Sequence, residues 1–165
     1  GNNSGMFNQD VAAVAIGNQA GAYDQGTVSV AVGNAAGQTD QGSHSVAIGN
    51  WAGSDTQGTY AVALGRLAGE QNQGTRTVAI GNRAGEYNQG GFSVAIGGAA
   101  GQTNQPANSI VINAQGAGAS STALNASNSN AFYVKPIRHV TNGSLPFGFY
   151  NMAYNPTTGE IIYWT

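Results

Sequence analysis

The amino-acid sequence predicts an all-β chain wound as a parallel β-roll or β-solenoid of sixteen-residue coils, and three observations predict it. A pattern close to S-V-A-I-G-N-x-A-G-x-x-N-Q-G recurs seven times without a slip in register. Glycine holds two fixed places in each period, and each would weaken a helix by about 1 kcal/mol. Sixteen residues are too few for the paired helices of helical repeats, yet they suit one coil of short extended segments joined by tight turns.

The aliphatic columns show the register. Val14, Val30, Val46, Val62, Val78, Val94 and Ile110 follow at sixteen-residue steps, as do Ile16, Val32, Ile48, Leu64, Ile80, Ile96 and Ile112. Gln9, Gln25, Gln41, Gln57, Gln73, Gln89 and Gln105 form another column. Gly1-Asn2 is in phase with Gly17-Asn18, so the pattern is entered in mid-coil, as at a boundary or after further repeats upstream. In order, each coil should hold a strand of about five residues around Val-Ala-Ile, a Gly-Asn turn, a second short extended piece, and a turn at Asn-Gln-Gly. Coils stacked at about 4.8 Å make seven of them a rod roughly 34 Å long.

Alternate strand residues point to opposite faces, so Val46 and Ile48 share one face while Ser45, Ala47 and Gly49 share the other. Neither face carries the charged residues of a solvated strand, but one coil has only one interior. A narrow coil is filled most easily by Ala, Ser and Gly, which leaves the two aliphatic columns outside. Burying a Val or Ile gains about 1.5 to 3 kcal/mol, and another copy of the rod is the simplest cover, so all fourteen residues of those columns are read as an oligomer interface. The alternative places Val and Ile inside and permits a monomer.

The Gln column is expected to hydrogen-bond along the axis as an amide ladder, with Asn8, Asp24, Asp40, Asn72, Asn88 and Asn104 supporting the adjoining turn. The freely varying columns read as solvent-exposed. They hold Phe7, Tyr23, Trp51, Tyr60, Tyr87 and Phe92, candidates for contact with a glycan or receptor, or else covers for seams between rods.

Only 7% of the residues are charged, against roughly 25% in ordinary domains, so amides and hydroxyls must keep the surface wet. No apolar run reaches the roughly 18 residues of a membrane helix, and nothing resembles a signal peptide. With a net charge of −2 and the basic residues scattered singly, no footprint for nucleic acid exists. Cysteine is absent, and His44 and His139 are the only imidazoles. No metal-ligand spacing or catalytic constellation stands out, so neither a cofactor nor an enzymatic activity is expected.

The composition changes near residue 118: nearly all glycines precede it and most aromatics follow. The expected organisation is a solenoid over 1–118, a polar linker over 119–130, and a β-hairpin-like cap over 131–165. In the cap, "AFYV" and "EIIYW" read as strands and "YNPTTGE" as the turn before the second. Such a cap would cover the open strand edges at the end of the rod.

The repeated "SVAIGN" followed by "AG" resembles the head repeats of trimeric autotransporter adhesins. The sixteen-residue form, with "GQTNQPANSIVINAQG" and the closing "FYVKPIR" and "YNPTTGEIIY", is more similar to fibre and spike proteins of phages and large DNA viruses. The resemblance implies a left-handed coil, a homotrimer, and a structural or adhesive fibre segment at a virion or cell surface that attaches to a host. Two rivals remain open. A self-assembling extracellular filament would use the same coils end to end, whereas an ice-binding solenoid would want a flat ladder of one small residue such as Thr.

Overall fold

The computed structural model describes residues 1–115 and 123–136, and the strand backbones of 151–154 and 161–164. Each period forms one coil with two short strands, and the coils stack as a parallel β-solenoid of about seven turns. One sheet holds six parallel strands: β1 (Phe7–Gln9), β3 (Tyr23–Gln25), β5 (Thr39–Gln41), β7 (Asp55–Gln57), β9 (Gln71–Gln73) and β11 (Tyr87–Gln89). The other holds β2 (Val14–Ile16), β4 (Val30–Val32), β6 (Val46–Ile48), β8 (Val62–Leu64), β10 (Val78–Ile80), β12 (Val94–Gly97), β13 (Ile110–Asn113) and β14 (Phe132–Lys135). Through coil after coil the register is a strict sixteen: Val46 lies beside Val62, Ala47 beside Ala63, Ile48 beside Leu64.

The strands are shorter than expected, three residues in most coils, because left-handed backbone cuts them at both ends. Before each Val strand stands a residue with φ near +57°, such as His44 (58°) or Tyr60 (60°); after it stands a glycine such as Gly49, at φ 133°. A Cβ on Gly49 would lie 2.5 Å from the carbonyl oxygen of Gly65 in the next coil, so close stacking and the backbone angle both demand glycine there. The second strand is kinked at its own centre. Asp24, Asp40, Asn72, Asn88 and Asn104 take φ of 51° to 56° there, a conformation that Asn and Asp tolerate best among side-chain-bearing residues.

The interior is a column of alanines. Ala31, Ala47, Ala63, Ala79 and Ala95 are fully buried on the strand side, and Ala20, Ala36, Ala52, Ala68, Ala84 and Ala100 on the turn side. Val and Ile therefore do not fill the coil, and the monomeric packing with those side chains inside is excluded. In the seventh coil Val111 takes the place of the strand alanine.

The division at residues 118 and 130 is corrected by the far end of the rod. Strand β14 pairs parallel to β13, Ile110 beside Phe132 and Ile112 beside Val134, and so adds an eighth strand to the solenoid sheet. Within the stretch read as a linker, Leu124 bridges to Ala100 and is buried together with Ala126. Tyr133 packs against this core, and its hydroxyl accepts hydrogen bonds from the backbone N–H groups of Ser127 (3.3 Å) and Asn128 (3.1 Å). The coil continues across a longer excursion because apolar residues at 124, 126 and 133 supply the interior contacts that alanine supplies elsewhere. "AFYV" thus belongs to the rod. Strands β15 (Asn151–Tyr154) and β16 (Ile161–Trp164) pair antiparallel with each other; residues 155–160 of the expected turn lie outside the described residues, as do His139 and residues 116–122.

One coil breaks its own corner rule. Val28 sits at φ 55° with half its surface exposed, and a β-branched residue in that region is strained. Left-handed backbone costs an L-residue about 1 to 2 kcal/mol, so Val28→Asn is expected to raise the unfolding free energy by about 1 kcal/mol. Urea unfolding followed by circular dichroism measures it, and an unchanged midpoint would show that the corner is unstrained.

Candidate functional site

The outer face of the eight-stranded sheet carries both aliphatic columns. Val14, Ile16, Ile48, Leu64, Ile96 and Ile110 are exposed, and Val30, Val32, Val46, Val62, Val78, Ile80, Val94 and Ile112 are partly exposed. None of these is buried, even in the middle of the rod, where coils lie on both sides. The strand parity that sends Ala47 inward sends Val46 and Ile48 outward. The stripe has no charged residue, and its side chains repeat at strand spacing along the rod.

Inside, the glutamines are fixed twice over. Gln57 Nε2 donates to the Val46 carbonyl at 2.9 Å and to Gln73 Oε1 at 3.0 Å. The axial link recurs from Gln9 to Gln25, Gln41 to Gln57, Gln73 to Gln89 and Gln89 to Gln105. It is interrupted once: Gln41 Oε1 is buried without a hydrogen-bond partner. Outside, Asn72, Asn88 and Asn104 form a parallel amide ladder with bonds of 3.1 and 3.0 Å.

The six aromatic candidates do not converge. They fall on three lines along the rod. Phe7 and Tyr23 stack on each other at 5.4 Å on the six-stranded sheet, with Tyr87 farther along the same column and partly buried. Trp51 stands exposed at the corner after the Gly-Asn turn. Tyr60 and Phe92 lie at the corner before the Val strand, where His44 stacks on Tyr60 at 5.0 Å. The Arg76 guanidinium lies between the two rings, 5.3 Å from the Tyr60 centroid and 5.5 Å from that of Phe92. Stacking thus joins Phe7 to Tyr23 and His44 to Tyr60, while Phe92 remains 59% exposed. His44 and Arg76 stand at sixteen-residue steps in the same column as Tyr60 and Phe92, but a search for aromatic rings passes over the cation that stands between two of them.

A second group was missed. Glu86 is buried, 1% exposed, and pairs with Arg83 at 3.3 Å while accepting a 2.6 Å bond from Gln102 Nε2. Parity was the available signal: Tyr87 faces outward, so Glu86 must face in. One coil earlier, burial and then the charge of Glu86 push the Glu70 carboxyl above its ordinary value of 4.5. Ionising Glu70 is therefore harder in the folded state. The stability it gives is full below the ordinary value and lost as pH rises through the folded one. Glu70→Gln should flatten this decline, so the melting temperature of the variant gains on that of the parent between acidic and neutral pH. Parallel curves for the two proteins would contradict the assignment.

Among the described residues, no three His, Cys, Asp or Glu side chains gather closely enough to hold a metal ion. What the geometry defines is a β-solenoid with an alanine interior, an amide ladder and an uncovered aliphatic sheet face. No protein-family model, curated protein or solved structure matches the chain.

Proposed function

We propose that the protein is a rigid, non-enzymatic rod segment of a homo-oligomeric fibre or spike, most simply a trimer, displayed at a virion or cell surface and touching host glycan or receptor along its flanks. The observation that carries this reading is the outward stripe of fourteen aliphatic side chains on an alanine-filled coil. Contiguous exposed apolar surface of this extent marks an interaction face. A partner whose side chains also repeat at about 4.8 Å can meet the whole stripe in register, and a second copy of the rod has that spacing. Stacked coils that each support the next supply stiffness and length without a unique core, which suits a mechanical element. The surface location rests on the resemblance of the repeat to adhesin heads and viral fibres.

Light scattering coupled to size exclusion tests the reading. A mass near three times 16.6 kDa, held on dilution, is the expected result. A monomer at working dilution would overturn it, and threads under the electron microscope would favour the end-to-end filament.

A further inference from the structure

The corner occupied by His44, Tyr60, Arg76 and Phe92 carries bulky side chains at left-handed backbone, as the corner of Trp51, Leu67 and Arg83 also does. All four residues take left-handed backbone, with φ of 58°, 60°, 56° and 58°. The kink at the centre of the second strand has the same need, and there Asn or Asp serves in all but one of the seven coils. Asn108 shows that Asn also fits the His44 corner, at φ 57°. In four consecutive coils the chain instead carries bulky side chains at strained backbone. Both corners carry such backbone, and what sets this one apart is a cation standing between two rings.

Stacking explains the rings but not the arginine, since another ring would continue the column. What Arg76 adds is a planar cation with five N–H donors. Its guanidinium carbon lies over the rings of the coils on either side, and the residue is exposed to solvent. Among the described residues the one ion pair is Arg83–Glu86, and Arg76 has no carboxylate partner. An exposed guanidinium positioned by two rings and paired with no carboxylate can offer two parallel hydrogen bonds to an oxyanion.

We infer that this corner is a docking site for the carboxylate of an acidic saccharide, held by Arg76 beside the rings of Tyr60 and Phe92. This deepens the adhesive part of the proposed function. The backbone makes a peptide a poorer occupant. Tyr60 N–H donates to Ser43 O, Arg76 N–H to Thr59 O and Phe92 N–H to Thr75 O, at 3.0 to 3.1 Å. These groups are spent within the rod and offer no edge for an added strand. A lone arginine on a chain of net charge −2 is likewise too little for anionic lipid or nucleic acid, which require clusters of basic residues. A carboxylate borne on a sugar ring matches a single fork set between aromatic rings, which can also stack on the sugar.

The test is calorimetric titration of the full chain with glucuronate-bearing oligosaccharides and with sialyllactose, using neutral dextran oligosaccharide as control, while light scattering gives the mass of the same sample. Saturable binding of an acidic saccharide is expected, at least tenfold weaker in Arg76→Gln, intermediate in Arg76→Lys, and weakened by salt. Thermal melts confirm that each variant is folded. Equal affinity of Arg76→Gln and parent, equal binding of neutral and acidic sugars, or no binding of either acid by the folded rod overturns the inference. Binding by a sample that measures as a monomer supports this site and counts against the assembly alone.

Discussion

Replacing Ile48, Leu64 and Ile80 together by Thr is expected to dissociate the assembly while leaving the rod folded. All three side chains point away from the alanine interior, and Thr is at home on a solvated strand, so the circular dichroism spectrum should not change. In an interface each substitution removes apolar area and buries a hydroxyl. At about 0.8 kcal/mol per buried methylene-sized group and about 1 kcal/mol or more for an unpaired hydroxyl, three changes remove about 6 kcal/mol per subunit. A difference of that size is about four orders of magnitude in dissociation constant, enough to turn a stable oligomer into monomers at micromolar concentration. The control is the same substitution moved by one residue. Ala47 is fully buried, and Ala47→Thr should instead disrupt its coil by overpacking. If the triple variant keeps the mass of the parent, the stripe is not the interface. If Ala47→Thr dissociates the assembly without loss of structure, the inside and the outside of the coil have been exchanged.

That contrast also shows what was legible in the sequence. A sixteen-residue period and strict two-residue parity were sufficient to place Ala47 inside and Ile48 outside, because a coil so short leaves no room for two aliphatic columns. The glutamine ladder followed from periodicity as well, since identical amides at one strand spacing have each other as nearest partners. Two features were not legible. The eighth strand, Phe132–Lys135, lies twenty-two positions beyond its partner Ile110 rather than sixteen, so the period gave no cue and the intervening Ala, Ser and Asn read as a linker. The cue was instead the apolar content of Leu124, Ala126 and Tyr133, too sparse to register as a pattern. The Arg76 column was hidden for a different reason. Its significance depends on a cation standing between two rings and paired with no carboxylate, and neither follows from spacing.

Gln57→Leu is expected to destabilise the rod by about 3 kcal/mol or more, and clearly more than Gln41→Leu. Leucine matches the volume of glutamine closely, so packing is nearly conserved and the effect is one of hydrogen bonds. In the parent, Gln57 Nε2 serves the Val46 carbonyl and Gln73 Oε1, and Gln57 Oε1 accepts from Gln41 Nε2 at 3.1 Å. Leucine leaves Gln73 Oε1 without a donor, takes the side-chain donor from the Val46 carbonyl, which keeps its place in the parallel ladder beside β8, and removes one acceptor from Gln41, whose amide keeps its bond to the Val30 carbonyl at 2.9 Å. Each buried group left unpaired costs about 1 to 3 kcal/mol. Gln41→Leu likewise strands Gln57 Oε1 and takes the side-chain donor from the Val30 carbonyl, but it deletes an oxygen that has no partner in the parent. Removing that oxygen offsets about 1 kcal/mol or more of the loss. The two variants therefore share their chemistry, burial and side of the coil, and differ in the state of a single atom. Because each coil leans mainly on its neighbours, the difference should survive in urea midpoints measured under one set of conditions. Equal midpoints would mean that Gln25 and Gln41 are linked in solution as the other neighbours are. Midpoints equal to that of the parent would mean that the stacked backbone alone, and not the amide column, holds the coils in register.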